Sequence, residues 1–325
     1  VPAYDEALLG AAHMTSLSLK TVVVGSGAVG SFFGAMLARA GHSVTLIARP
    51  AHVQAIQEKG LQLHMAGRVE RVELAASASL EAVRGADLVL FCVKSTDTES
   101  VAQQIAPWLE SHALVLSLQN GVENAAEISR QISQSVIPAV VYVATAMSAP
   151  GQVEHLGRGE LVIGALDASC APTLQPQLQR IVALFASAQI PVQISPDVMG
   201  ELWRKLLLNC TFNAISAITQ LPYGKISQLA STHDLQLALV HEVLAVAKAD
   251  GQHLNLAESL LGVEKIFQTM PVQFSSTAQD LARGKRTEID HLNGFIARRG
   301  AALGIATPAN QALYALVKLL ESGLK

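Results

Sequence analysis

The apolar positions of the chain change their period near residue 196. Before it they come in short, nearly unbroken runs rich in Val, Ile and Leu: Lys20–Val24, Ser43–Ile47, Ala86–Val93, Ala113–Leu118, Val136–Ala146 and Ile190–Ile194. Runs of this kind are too short for helices and read as strands, Ala86–Val93 as a strand buried on both faces of a parallel sheet. Between them Ser31–Ala40, closed by Gly41, a stretch from about Thr98 to Trp108, and Pro172–Ala188 are predicted helices. Leu61–Leu74 alternates around Ala66-Gly67 and predicts a small hairpin; Gly151–Ile163, with Gly157 and Gly159, predicts another. Ser195-Pro-Asp197 ends the alternation, and Asp197 is placed to cap the next helix. From there no strand pattern returns. Helices are predicted near 197–219, 233–250, 257–270, 274–283, 288–303 and 309–322, with breaks at Leu221-Pro-Tyr-Gly224, Gly251, Gly284 and Thr307-Pro308.

The first strand runs into Gly25-Ser26-Gly27-Ala28-Val29-Gly30, and a helix comes next. Glycine is required at three points of such a turn: for the tight bend, for backbone approach to a pyrophosphate, and for close packing of helix on strand. The helix amino terminus adds N–H donors and a partial positive charge for the phosphates. Placed strand–turn–helix, the spacing predicts a dinucleotide site, so the expected fold is an α/β Rossmann-type N-terminal domain over 20–196 and an all-α C-terminal domain over 197–325. After the second strand an NAD enzyme places an acidic residue on the ribose hydroxyls. This chain has Ala48-Arg49-Pro50 there. A guanidinium suits a 2′-phosphate, which favours NADP(H), although an exposed arginine at a strand end is also an ordinary feature. Lys94 and Asn120 each come after a predicted strand at its carboxyl end, where ligands bind in open α/β sheets and where plain loop residues also sit.

In the second half, Glu201–Asn213 reads as a helix with Leu202, Leu206, Leu207 and Cys210 on its apolar side. Lys205, Asn209 and Asn213 are four residues apart and form one row, drifting about 40° per step. One cation and two amides beside an apolar face suit a proton donor with two substrate-orienting groups; taken alone, the row reads first as a solvated polar edge of a core helix, and only then as a site. Phe274-Ser275-Ser276 begins a later helix with hydroxyls able to cap it or to bind a ligand. Glu288 lies in the first turn of another, where a carboxylate suits the helix dipole. The cluster Arg283, Lys285 and Arg286 reads as a solvated face.

Composition narrows the class. The chain has 325 residues, enough for two domains, with 50% hydrophobic and 15% charged residues. A formal charge of −3 gives no electrostatic case for nucleic acid or an anionic membrane, and no apolar run is long enough for a membrane span. Cys92, Cys170 and Cys210 are scattered, and the ten histidines show no ligand spacing, so no metal site is predicted and a cytoplasmic setting is expected. Residues 1–19 are expected to be an extension or a leader left by cloning, with His13-Met14 as its junction and Met14 as the natural start. No heptad seam demands self-association, which leaves a homodimer open.

Taken together, these residues resemble the ketopantoate reductases (2-dehydropantoate 2-reductases), NADPH-dependent enzymes of pantothenate and coenzyme A biosynthesis. The likeness runs from about Thr21 to Lys318. It rests on the glycine turn, Arg49, Val93-Lys94, Gln119-Asn120-Gly121, Glu201-Leu-Trp-Arg-Lys-Leu-Leu-Leu-Asn209 with Asn213, Ser275-Ser276, and Thr287-Glu-Ile-Asp-His-Leu-Asn-Gly-Phe295. The resemblance implies that Lys205 gives the proton to the carbonyl being reduced, and that Asn209, Asn213 and Ser276 bind the 2-oxo acid. It implies that Arg49 meets the cofactor 2′-phosphate, that Lys94 and Asn120 lie at the nicotinamide side, and that Glu288 contacts cofactor and substrate. Ala214 stands where the family commonly has Pro, and Tyr223 where it commonly has Asn. Both departures bear on which 2-oxo acid is taken. An NADP-dependent reductase of another small 2-oxo acid, whether a paralogue or a β-hydroxyacid or opine-type dehydrogenase, is the alternative within the same chemistry. A non-catalytic NADP(H) sensor is the alternative outside it, disfavoured because binding alone needs none of Lys205, Asn209, Asn213 and Glu288.

Overall fold

The computed structural model describes residues 19–324. Residues 1–18 of the expected leader, Met14 among them, lie outside the described residues. Leu19, just before the first strand, is 4% exposed and packs in the main core.

The chain divides into two compact units, one comprising residues up to Gln119 together with Asn124–Val198, the other Asn120–Glu123 together with Met199–Lys325. In the first unit β1 (Thr21–Val24), α1 (Ala28–Arg39), β2 (Val44–Ile47), α2 (Pro50–Lys59), β3 (Leu61–Met65), β4 (Arg68–Val72) and β5 (Ala75–Ser77) come in succession. After them come β6 (Leu88–Phe91), α3 (Thr98–Ile105), β7 (Leu114–Ser117), α4 (Asn124–Gln131), β8 (Ser135–Ala149), β9 (Gln152–Ile163), α5 (Ala171–Ser187) and β10 (Val192–Ile194). The sheet order is β4-β3-β9-β8-β7-β6-β1-β2-β5, with β10 on β9. From β8 to β5 every pairing is parallel, with Val24 level with both Ile47 and Phe91. This is the doubly wound order, whose reversal point lies between β1 and β6.

Strand alternation divides the core of this unit. Val23, Leu46, Leu90 and Leu116 cluster with Phe32, Phe33 and Leu37 of α1 and Leu184 and Phe185 of α5. Val22, Val24, Val89 and Val115 cluster on the other face with Ala102 and Ile105 of α3 and Ala125 and Ile128 of α4. Both faces are covered, which is why these strands carry continuous apolar runs.

Two sequence expectations are corrected. Gly151–Ile163 is no hairpin by itself; it supplies β9, the second arm of a long antiparallel pair with β8 that turns at Pro150-Gly151. Gly157 and Gly159, at φ 145° and 150°, mark register shifts along that arm rather than a turn. The expected helix over 288–303 is also interrupted: a short 3-10 turn at Ile289–His291 precedes the α-helix proper. Helices α2 and α4 and strand β5 had no counterpart in the sequence expectation.

The second unit holds α6 (Val198–Thr219) from Met199 on, then α7 (Tyr223–Ile226), α8 (Ala230–Ala249), α9 (Leu256–Thr269), α10 (Ser276–Ala282), α11 (Asn293–Ala302) and α12 (Pro308–Ser322). Tyr223-Gly224 is thus a helical turn rather than a plain break. Trp203 of α6 is 2% exposed and meets Phe295 of α11 edge-on, with ring centroids 5.6 Å apart. Buried Glu242 of α8 accepts the backbone N–H groups of Ala309 and Asn310, satisfying donors that the first turn of α12 leaves without intrahelical acceptors. No helix of the described residues is long and apolar enough to cross a membrane.

Candidate active site

The glycine turn is built by close approach. A Cβ on Gly25, whose φ is +93°, would lie 2.6 Å from the Val93 nitrogen, and one on Gly30 would lie 2.6 Å from the Gly25 oxygen. The Ile47 carbonyl accepts from Gly25 N at 3.2 Å and Ser26 N at 3.0 Å, which seats the turn at the carboxyl end of β2. Arg49 stands two residues beyond, exposed, as the N-cap residue of α2. Lys94 is exposed just past the end of β6.

Whether this turn fits a dinucleotide can be tested on its own atoms. A Cβ on Gly27 would meet nothing within 4 Å, and no side chain caps α1. The first-turn N–H groups of Ala28, Val29 and Gly30 have no acceptor within the helix. Ser26 Oγ is buried and has no hydrogen-bond partner. An orphaned hydroxyl beside an uncapped helix start is what a ligand rich in acceptor oxygens would satisfy, and the residues fit a pyrophosphate.

Three residues named from the sequence come together in the helical unit. Lys205 Nζ donates to Asn120 Oδ1 at 3.0 Å, and Asn120 Nδ2 donates to Glu288 Oε2 at 3.2 Å. Asn120 therefore clusters with the helical residues, although it comes after β7 in sequence. The remaining positions of the motifs explain why these three are held. In α6, Leu202, Trp203 and Leu206 are buried, while Arg204 pairs with Glu201 one turn back at 2.8 Å, so Lys205 is the member of the run turned to Asn120. Around Glu288, the backbone N–H and hydroxyl of Thr287 both donate to Glu321, each at 2.6 Å. Asp290 accepts from Tyr314 and Lys318, and Asn293 donates to Cys210 O and Asn310 Oδ1. Burial alone would raise the Asp290 pKa, but the bonds from Tyr314 and Lys318 and the charges of Lys318 and Arg298 outweigh it and hold the carboxyl below its ordinary range. The anchors on either side fix the segment that presents Glu288.

Asn209 and Asn213 come after Lys205 along α6, Asn209 half-buried and Asn213 only 3% exposed. Tyr223 Oη donates to Asn213 Oδ1 at 3.5 Å, and the Tyr223 ring lies against Phe212 with centroids 5.0 Å apart. Burial pushes the Tyr223 hydroxyl pKa up, keeping it a neutral donor. Ser275 is the buried N-cap of α10; its hydroxyl donates to the Asn213 carbonyl at 3.2 Å and accepts from Ala278 N at 3.0 Å. Ser276 is exposed at the first position of α10, next to this contact. Of the two serines, Ser275 is thus engaged by protein groups and Ser276 is the exposed one.

One residue went unnoticed in the sequence. His52, in the first turn of α2 and 8% exposed, lies 3.2 Å from Ser31 Oγ through Nε2 and accepts from Gly151 N at 2.7 Å through Nδ1. Burial lowers its pKa, and the neighbouring Arg49 cation lowers it further. The only local signal was its place three residues after Arg49.

The chain matches the family model described as "Ketopantoate reductase PanE/ApbA" over residues 21–168 and its C-terminal counterpart over residues 197–321. It is similar to the crystal structure of a PanE/ApbA family ketopantoate reductase from Ralstonia eutropha JMP134, at 54% identity and a TM-score of 0.86, covering 93% of this chain and 98% of that one. It is 32% identical to the 2-dehydropantoate 2-reductase of Vibrio cholerae, over 93% of this chain and 98% of the relative. A ternary structure of D-mandelate dehydrogenase with NADH and anilino(oxo)acetate is also similar, at 26% identity and a TM-score of 0.86, over 94% of this chain and 99% of that one.

Proposed function

The chain belongs to the ketopantoate reductase family, oxidoreductases acting on 2-oxo acids, and from that membership we propose that it reduces 2-dehydropantoate to pantoate with NADPH. The observation that carries the reading is the hydrogen-bonded chain Lys205–Asn120–Glu288. An ammonium has three N–H donors, and Asn120 orients one of them. Lys205 places its charge where the 2-carbonyl oxygen becomes negative as the carbonyl carbon is reduced, and then gives that oxygen a proton, so the carbonyl becomes an alcohol. Asn209, Asn213 and Ser276 bind the carboxylate and hydroxyl of the substrate by hydrogen bonds. Gly25–Gly30 take the pyrophosphate of NADP(H) and Arg49 takes its 2′-phosphate, with Lys94, Asn120 and Glu288 at the nicotinamide ribose side. The nicotinamide supplies the hydride.

A second reading keeps the chemistry and changes the acid. Tyr223 and Ala214 depart from the family pattern, and the structure of D-mandelate dehydrogenase with NADH and anilino(oxo)acetate is as similar in fold as the Ralstonia reductase. This reading takes a bulkier or aromatic 2-oxo acid in place of ketopantoate.

The experiment is NADPH oxidation with ketopantoate beside pyruvate, 2-oxoisovalerate and phenylglyoxylate. Highest kcat/KM with ketopantoate is expected; a preference for phenylglyoxylate moves the assignment to the second reading. In the same assay Lys205→Ala should lose about 10²–10⁴-fold in kcat while still binding NADPH. Turnover near that of the wild type removes Lys205 as the proton donor.

A further inference from the structure

The tautomer of His52 is fixed by its partners. Gly151 presents a backbone N–H, which can only donate, so Nδ1 is the acceptor and the neutral ring carries its proton on Nε2. Nε2–H therefore donates to Ser31 Oγ at 3.2 Å, and Ser31 in turn donates to the Ser26 carbonyl at 3.2 Å. Three hydrogen bonds run in one direction, from the β8–β9 turn through α2 and α1 into the glycine turn. Their end point is consequential. A Ser26 carbonyl held toward Ser31 is held away from the open side of the turn; rotated outward, it would set a partial negative charge against a phosphate. The same imidazole sits on the first turn of α2, where the Arg49 carbonyl accepts from His52 N at 2.9 Å, so it also ties the Arg49 end of that helix to the glycine turn.

We propose that His52 is a positioning residue for the 2′-phosphorylated dinucleotide: through Ser31 it locks the Ser26 carbonyl inward, and it sets the spacing between the pyrophosphate turn and Arg49. The inference rests on the reading that this turn and Arg49 bind NADP(H). His52 itself touches no cofactor atom in this scheme and moves no proton in the reaction.

Two conservative variants separate the arms of the ring. Glutamine reaches as far as Nε2 and offers an N–H donor to Ser31; asparagine reaches only to the Nδ1 position and offers an acceptor to Gly151. Direct binding of NADPH, followed by quenching of tryptophan fluorescence, is compared for wild type, His52→Gln, His52→Asn and Ser31→Ala, with the thermal midpoint of each recorded. His52→Asn and Ser31→Ala are expected to raise the NADPH Kd about tenfold, His52→Gln to stay within about threefold of wild type, and the double variant His52→Asn/Ser31→Ala to be no worse than either single one, since both break one chain. In turnover the loss should fall on the KM for NADPH and far less on kcat. Nitrogen NMR of the ligand-free protein gives an independent readout, in which the His52 ring should carry its proton on Nε2. Unchanged NADPH affinity in His52→Asn, or a ring protonated on Nδ1, overturns the proposal while leaving NADP(H) binding intact. Wild-type protein that binds no NADPH overturns the cofactor reading, and this inference with it.

Discussion

Asn120 accepts the Lys205 ammonium at 3.0 Å from a position 85 residues earlier in the chain. The other end of the same amide donates to Glu288, so one side chain serves a cation and a carboxylate at once. Asn120→Asp keeps the acceptor for Lys205, removes the donor to Glu288, and sets a second carboxylate beside the first. We expect kcat to fall by about 10–100-fold. The added negative charge favours the protonated lysine, so the high-pH limb of kcat/KM, where the donor loses its proton, should move to higher pH. A pH–rate profile checks both the size and the direction; an unmoved limb counts against Lys205 as the titrating donor.

Arg49 gives the test of cofactor choice. In Arg49→Glu a carboxylate faces the 2′-phosphate of NADPH but can accept from the 2′-hydroxyl of NADH. The ratio of kcat/KM for NADPH over NADH should drop by at least about 100-fold, from loss of one charge-assisted contact and gain of a repulsive one. Equal losses for both nucleotides would exclude the 2′-phosphate contact.

Asn293 belongs to the most recognisable motif of the helical unit, and its amide is spent inside that unit. It is fully buried and donates to Cys210 O and Asn310 Oδ1. Asn293→Ala should lower stability by about 1–3 kcal/mol, because two buried acceptors lose their donor. The change should appear in the thermal midpoint, with KM for the 2-oxo acid little altered in protein that remains folded.

Acid should weaken the first unit through His52. Its folded pKa lies below the ordinary 6.5, so on acidification the unfolded chain takes up the proton before the folded one does. The associated stability is fully present above about pH 6.5 and is lost progressively as the pH falls below it toward the folded pKa. Urea midpoints from pH 8 to pH 5 should decline less steeply in His52→Gln than in the wild type. His42, whose pKa burial also lowers, keeps its own share in both proteins.

The legible part of the fold was set by burial. Strands covered on both faces, such as Leu88–Phe91, wrote themselves as apolar runs, and the helix with Lys205 showed its four-residue row. Helix α2 buries only His52, Val53 and Ile56, and α4 only Asn124, Ala125 and Ile128, too little apolar content to stand out from a loop. Gly157 and Gly159 misled because glycine serves bulges as readily as turns. For the site, the resemblance named Asn120, Lys205 and Glu288 separately. Their hydrogen bonds join residues 85 and 168 positions apart, a relation no local spacing can express.

The four residues Asn120–Glu123 lie between two stretches of the first unit, yet cluster with the second. A cut at residue 196 therefore does not separate the chain into a nucleotide binder and an intact helical module. A fragment spanning 197–325 would carry Lys205 and Glu288 without the amide that joins them, and one spanning 20–196 would carry the amide with neither partner. Recombination that exchanged whole halves between relatives would pair an Asn120 shaped in one lineage with a Lys205 and Glu288 shaped in another.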